Sequence, residues 1–157
     1  MLARRLLVAA TGWRLIVRHN SFAIPDPDAQ TCGVTLPLAL VFYEDLIPGS
    51  QLVNRLQDSQ YRVQALSDLD ELTACATSAG PMLIFADLAS KRGDVCAIIQ
   101  KLRANPTTAH IPIIGFADDA DETLQAAGRT AGATLVAADS VILTHLTQFI
   151  ERALQIE

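Results

Sequence analysis

The sequence predicts a doubly wound α/β domain built on a five-stranded parallel sheet. Three observations lead there. Between about residues 36 and 157, five short apolar runs alternate with five helical patterns, the arrangement of parallel strands joined by crossover helices. The runs are continuously apolar rather than alternating, as strands buried on both faces are. Two of the strongest close abruptly on carboxylates: Leu36 to Tyr43 on Glu44-Asp45, and the run behind Pro81 on Asp87. In open α/β sheets ligands bind outside the carboxyl ends of the strands, so these acids are the first candidate site.

Taken in order, the first strand spans Leu36 to Tyr43. Pro48-Gly49-Ser50 opens a helix in which Leu52, Val53 and Leu56 share a face. Tyr61 to Leu66 reads as the second strand. Ser67 and Asp70 have capping-box spacing for a helix that turns Leu69, Leu72 and Cys75 inward and ends at Ala79-Gly80-Pro81. The third strand delivers Asp87. Val95, Ile98, Ile99 and Leu102 then follow the i, i+3, i+4, i+7 rule, and Asn105-Pro106 stops that helix. Ile111 to Phe116 is the fourth strand and runs into Asp118-Asp119. Asp119 and Glu122 suit a helix start, with Leu124 and Ala127 inward and Gly128 and Gly132 at its end. Ala133 to Ala138 is a short fifth strand. Asp139 and Ser140 are candidate caps for a last helix with Leu143, Leu146, Phe149, Ile150 and Ala153 on one side.

The three most apolar strands are the first, third and fourth, and the most apolar strands belong in the middle of a sheet. The flavodoxin-like order 2-1-3-4-5 puts them there. Glu44, Asp45 and Asp87 then meet at the switch point.

Composition bounds the function. Half of the 157 residues are hydrophobic and 5% are aromatic, which suits a compact core rather than a disordered chain. No stretch reaches the roughly 20 apolar residues of a membrane span. Three cysteines at wide spacing, Cys32, Cys75 and Cys96, give neither a disulfide framework nor a metal motif, so the cytoplasm is the expected compartment. Residues 1 to 25 hold four arginines and no acid, whereas the remainder holds eight basic and 17 acidic residues. An acidic body is poorly suited to phosphate backbones, so nucleic acid is not an expected partner. Neither GxxxxGK[ST] nor GxGxxG occurs, and His19, His110 and His145 lack ligand spacing.

Residues 1–35 form an N-terminal extension and linker. Leu2, Leu6, Ala9, Trp13 and Ile16 share one helical face opposite Arg4, Arg14 and Arg18. A loosely ordered extension or overlong gene start leads the readings, ahead of a surface or membrane-contacting helix. A secretory signal ranks last because Arg14 and Arg18 break its apolar core. Pro25-Asp26-Pro27-Asp28 has linker composition.

Two acids after strand one and one after strand three suit a hard divalent cation such as Mg²⁺, and a carboxylate beside that cation can act as a nucleophile towards a phosphoryl group. Residues 36–157 resemble the receiver domain of two-component response regulators. The likeness is clearest in Leu83-Ile84-Phe85-Ala86-Asp87-Leu88, in Ile98 to Pro106, in His110 to Phe116 and at Gly132-Ala133. It implies that Asp87 is the phosphoacceptor and that Glu44 and Asp45 hold Mg²⁺, although a one-residue shift puts Tyr43 and Glu44 at those positions. It implies further that Ala89 offers the metal a backbone carbonyl.

Two positions depart from the family. Where receivers carry Ser or Thr at the end of strand four, this chain has Ala117. Where they carry Lys after strand five, it has Asp139 or, with one gap, Ala138. The resemblance therefore points to an atypical, degenerate receiver with weak or no phosphorylation and no enzymatic activity. Such a domain works through contacts with a histidine kinase, a phosphotransfer protein or another regulator, or by self-association. The chain stops at Glu157 directly after the last helix, so a stand-alone domain is expected. The other readings are a working Mg²⁺-dependent phosphoacceptor and a small-molecule module at the strand-end crevice.

Overall fold

The structure is a computed structural model that describes residues 35–155. The basic segment and the Pro/Asp linker expected near the N-terminus lie outside the described residues. The strands are β1 (Leu38–Phe42), β2 (Arg62–Leu66), β3 (Leu83–Asp87), β4 (Ile113–Ala117) and β5 (Leu135–Ala138). The helices are α1 (Leu46–Asp58), α2 (Leu69–Ala79), α3 (Val95–Ala104), α4 (Glu122–Ala131) and α5 (Asp139–Gln155). All strand pairs are parallel and the order is β2-β1-β3-β4-β5. The expected fold class and order are thus both observed.

Every residue of β1, β3 and β4 is buried, because successive side chains enter two different cores. Leu40, Phe42, Ile84, Ala86 and Ile113 pack with α2, α3 and α4 on one face. Val41, Leu83, Phe85, Ile114 and Phe116 pack with α1 and α5 on the other. A continuous apolar run is what such a two-sided strand requires.

Several local expectations shift by a residue or two. Helix α1 begins at Leu46 rather than at Pro48, which sits inside its first turn, where the missing N–H costs nothing. Asp68, not Ser67, caps α2: its carboxylate accepts from the Asp70 N–H at 3.0 Å. Ala76 is the buried residue of that helix's last turns, and Cys75 lies at the margin, accepting from Gln64 Nε2 at 3.4 Å. Asp121 caps α4 through the Leu124 N–H at 3.1 Å, so Asp119 is free for another role. The buried stripe of α5 is Ile142, Leu146, Ile150 and Ala153, with Leu143 and Phe149 half-buried beside it.

Gly128 corrects the sequence reading most usefully. It lies inside α4 and is buried; a Cβ there would stand 2.6 Å from Leu88 Cδ1, and one on Gly115 of β4 would stand 3.1 Å from the same atom. The two glycines cradle Leu88, the residue directly after Asp87. Gly132 is the true helix end, in the left-handed region at φ +108.

One side chain secures the β5 edge. The Arg103 guanidinium donates to the carbonyls of Gly132 (2.7 Å) and Ala109 (2.6 Å) and to Thr134 Oγ1 (2.5 Å). Thr134 Oγ1 in turn accepts from the Ile113 N–H at 3.1 Å.

Filling the cradle should be costly. Gly128→Val is expected to destabilise the domain by about 1–3 kcal/mol through overpacking, read from the urea midpoint. Combined with Leu88→Ala, the cost should fall short of the sum of the two single changes; strict additivity would show that Leu88 does not occupy the cradle.

Candidate functional site

Asp87 is the last residue of β3 and is only 6% exposed. Its Oδ2 accepts from the Glu44 N–H at 3.3 Å and its Oδ1 from the Ala89 N–H at 2.9 Å. Burial pushes its pKa above the ordinary carboxylate value; the two N–H donors oppose that push, and the charges of Asp45 and Glu44 add to it. The backbone register that sets Phe42 beside Ala86 brings the β1 end to this carboxylate.

Glu44 meets Asp87 through its backbone, not through its carboxylate. Its Oε2 accepts from Ser90 Oγ at 2.9 Å and from the Lys91 N–H at 2.6 Å, ties that hold its pKa below the ordinary value. The side chain therefore latches the β3–α3 loop. Asp45 is exposed at the N-cap position of α1 and makes no side-chain cap bond. Ala89 enters the site through the N–H that it gives to Asp87. Among the described residues no three His, Cys, Asp or Glu side chains are grouped so as to hold a metal ion. With Glu44 engaged by the β3–α3 loop, Asp87 and Asp45 are the carboxylates left to hold a divalent cation, which ordinarily needs one or two beside backbone oxygen and water.

The far side of the crevice comes from β4 and β5. Ala117 and Ala138 are paired in register, which puts Asp118 and Asp139 next to each other in the sheet's edge layer. Ala117 is buried at the end of β4 and packs in the core on the α2–α4 side of the sheet. Asp139 is the first residue of α5, and its Oδ1 is buried with no hydrogen-bond partner. It stands against a small apolar crevice lined by Pro48, Leu52, Phe116, Ile142 and Leu143. A helix N-terminus ordinarily favours a carboxylate's charge, yet burial and the charges of Asp87, Asp118, Asp119 and Asp45 raise the Asp139 pKa to about 6. Burial outweighs the helix dipole here.

Sequence reasoning missed the role of Asp119. It accepts from Ser140 Oγ at 3.0 and 2.8 Å through its two oxygens and so ties the β4–α4 loop to α5. The clue was available in a polar Ser directly after the acid at the start of the last helix, but nothing in the spacing names its partner.

No family model matches the sequence, and no curated protein matches it either. Solved structures do match. A response regulator from Chloroflexus aurantiacus is 20% identical, covering 77% of this chain and 99% of its own, with a TM-score of 0.72. The chain has the receiver fold. The receiver domain of a Pseudomonas aeruginosa sensor histidine kinase, described with a magnesium ion coordinated in its active-site cleft, is 17% identical over 77% of this chain and 99% of that one, with a TM-score of 0.70. The NtrX receiver domain from Brucella abortus is 18% identical over 76% and 99%, with a TM-score of 0.67. In this receiver fold the strand-end crevice holds Asp87, and no helix among the described residues is long and apolar enough to cross a membrane.

Two measurements check the electrostatics. The folded pKa of Asp139 lies above its unfolded value, so the native state binds more protons between about pH 4 and 6, and stability falls as pH rises through that window. Asp87 is shifted in the same direction. Asp139→Asn should therefore be the more stable protein at pH 7.5, by on the order of 1 kcal/mol after solvent screening, with the gap closing towards pH 4. Urea midpoints across that range decide it, and an unchanged or larger gap at pH 4 would contradict the assignment. Separately, Glu44→Ala removes the acceptor of the Lys91 N–H, and that amide should exchange with solvent at least about tenfold faster while β3 amides keep their protection.

Proposed function

We propose that this chain is an atypical receiver domain that signals through protein contacts, with phosphorylation at Asp87 weak or absent. The observation that supports this reading best is the Asp139 carboxylate, which shares the crevice with Asp87 and raises no counter-charge: the groups acting on it are Asp87, Asp118, Asp119 and Asp45, all acids. A phosphoryl group on Asp87 would bring negative charge into that set. At about 4 Å and an effective dielectric of about 20, one unit pair is worth on the order of 4 kcal/mol. Receivers meet that charge with a lysine and a Ser or Thr hydroxyl. Here Asp139 and Ala117 supply repulsion and a methyl group. In this reading the domain performs no catalysis, needs no Mg²⁺, and acts in the cytoplasm on a histidine kinase, a phosphotransfer protein or another regulator.

A second reading, a Mg²⁺-dependent phosphoacceptor, draws on Asp87 itself: it is buried at the strand end, with its two backbone N–H donors already in place. Incubation with acetyl phosphate and Mg²⁺ followed by intact-mass measurement separates the two. No lasting added phosphoryl mass is expected for the natural chain. The Ala117→Thr/Asp139→Lys variant, which restores the hydroxyl and the cation, should gain it. A phosphoryl adduct on the natural chain that disappears in Asp87→Asn would overturn the leading reading.

A further inference from the structure

The last helix is not one continuous rod. Its backbone leaves helical geometry at His145 (φ −120, ψ 30), so residues 139–144 form a short piece ahead of the break and residues 146–155 the body behind it. Composition sets the piece apart as well. Asp139, Ser140, Val141, Ile142 and Thr144 are all weak helix formers, and the Thr144 hydroxyl donates back to the Ser140 carbonyl at 2.8 Å, a bond that bends helices. Leu146, Ile150 and Ala153 bury the body in the core, whereas in the piece Ile142 alone is fully buried. From outside, Ser140 Oγ ties the piece to both oxygens of Asp119.

Asp139 works against these contacts. Its Oδ1 is buried without a donor, beside a crevice of about 10 Å³, which has scarcely room for one water. Four carboxylates face it: Asp87 from the end of β3, Asp45 from the turn before α1, and Asp118 and Asp119 from the loop after β4. The other side chains lining the crevice, from α1, β4 and α5, are uncharged. No hydrogen bond joins Asp139 to Asp87, whose oxygens are held by the Glu44 and Ala89 N–H groups. An ionised carboxylate in that setting gains water, and distance from four acids, when the piece lifts; a neutral one gains far less.

We infer that residues 139–144 are a hinged segment that lifts as a unit about His145, with the Ser140–Asp119 bond as its catch and the charge on Asp139 as the force that opens it. Lifting bares Leu52, Phe116 and Ile142, which the closed segment keeps buried. The apolar surface at this edge then follows the charge of one carboxylate, and no phosphoryl group on Asp87 is required. Burial and the neighbouring acids hold the Asp139 pKa at about 6 in the closed segment; in water it returns towards the ordinary carboxylate value. The closed form therefore binds the extra proton, so closure is strongest near pH 5 and weakens as pH rises towards 7.

Native-state amide exchange on the full chain labelled with ¹⁵N tests this, with protection corrected for the intrinsic pH dependence of exchange. Amides of residues 142–145 should be less protected than those of residues 148–153. Their protection should also ignore low urea, because a local opening exposes little surface, whereas that of residues 148–153 should fall with it. Between pH 5 and pH 7.5 the protection of the segment should drop at least about threefold. Asp139→Asn should abolish that drop and raise protection at pH 7.5. Ser140→Ala, which removes the catch and leaves every charge in place, should lower it about threefold. If residues 142–145 and 148–153 open in step at every urea concentration, α5 moves as one rod and the hinge is lost. A pH dependence that survives in Asp139→Asn removes the carboxylate as the driving force. Either result overturns the inference.

Discussion

Everything at the working edge depends on a carboxylate placed at the end of a strand that has no solvent-facing side. Because β3 is covered by helices above and below, Asp87 is almost wholly buried at the strand end. Its charge is met by the Glu44 N–H from the β1 end and by the Ala89 N–H from its own turn, against the opposing charges of Asp45 and Glu44. A buried negative charge with partial hydrogen bonding is costly. That cost shows as raised pKa values at Asp87 and Asp139.

The same constraint explains why the loops around Asp87 are tied so closely. Glu44 spends its carboxylate on Ser90 and Lys91, and Asp119 spends its own on Ser140. The first joins the loops after β1 and β3, and the second joins the loop after β4 to the start of α5. Acids that would repel one another in an open crevice are instead used as acceptors that knit its rim, which leaves Asp139 as the carboxylate whose Oδ1 has found no donor. Leu88 in its double-glycine cradle fixes the chain immediately beyond Asp87 from below.

The sheet was legible because two-sided burial writes itself into composition: the runs at β1, β3 and β4 have no room for polar side chains, so both their existence and their central place could be read. The places of Ala117 at the end of β4 and of Asp139 directly after β5 were legible for a related reason, since strand ends are marked where the apolar runs stop. What could not be read were contacts set by loop conformation. Whether Glu44 points at Asp87 or at Lys91 depends on the path of the β3–α3 loop, and no periodicity encodes that path. Ser67 and Asp68 are both good caps, and only the backbone angle at the turn selects the second. Gly128 looked like a helix end because glycine usually is one. Its real reason, a leucine from the turn after β3 pressed against the helix, is a tertiary fact.

The Arg103 clamp divides the molecule's labour along the sheet axis. By gathering the carbonyls that precede β4 and the turn that precedes β5 onto one guanidinium, it anchors the last strand at the amino end of the sheet, away from the carboxyl end where the acids lie. Retention of β5 is therefore not left to the crevice chemistry. Substitutions at the working edge therefore leave the anchoring of β5 untouched.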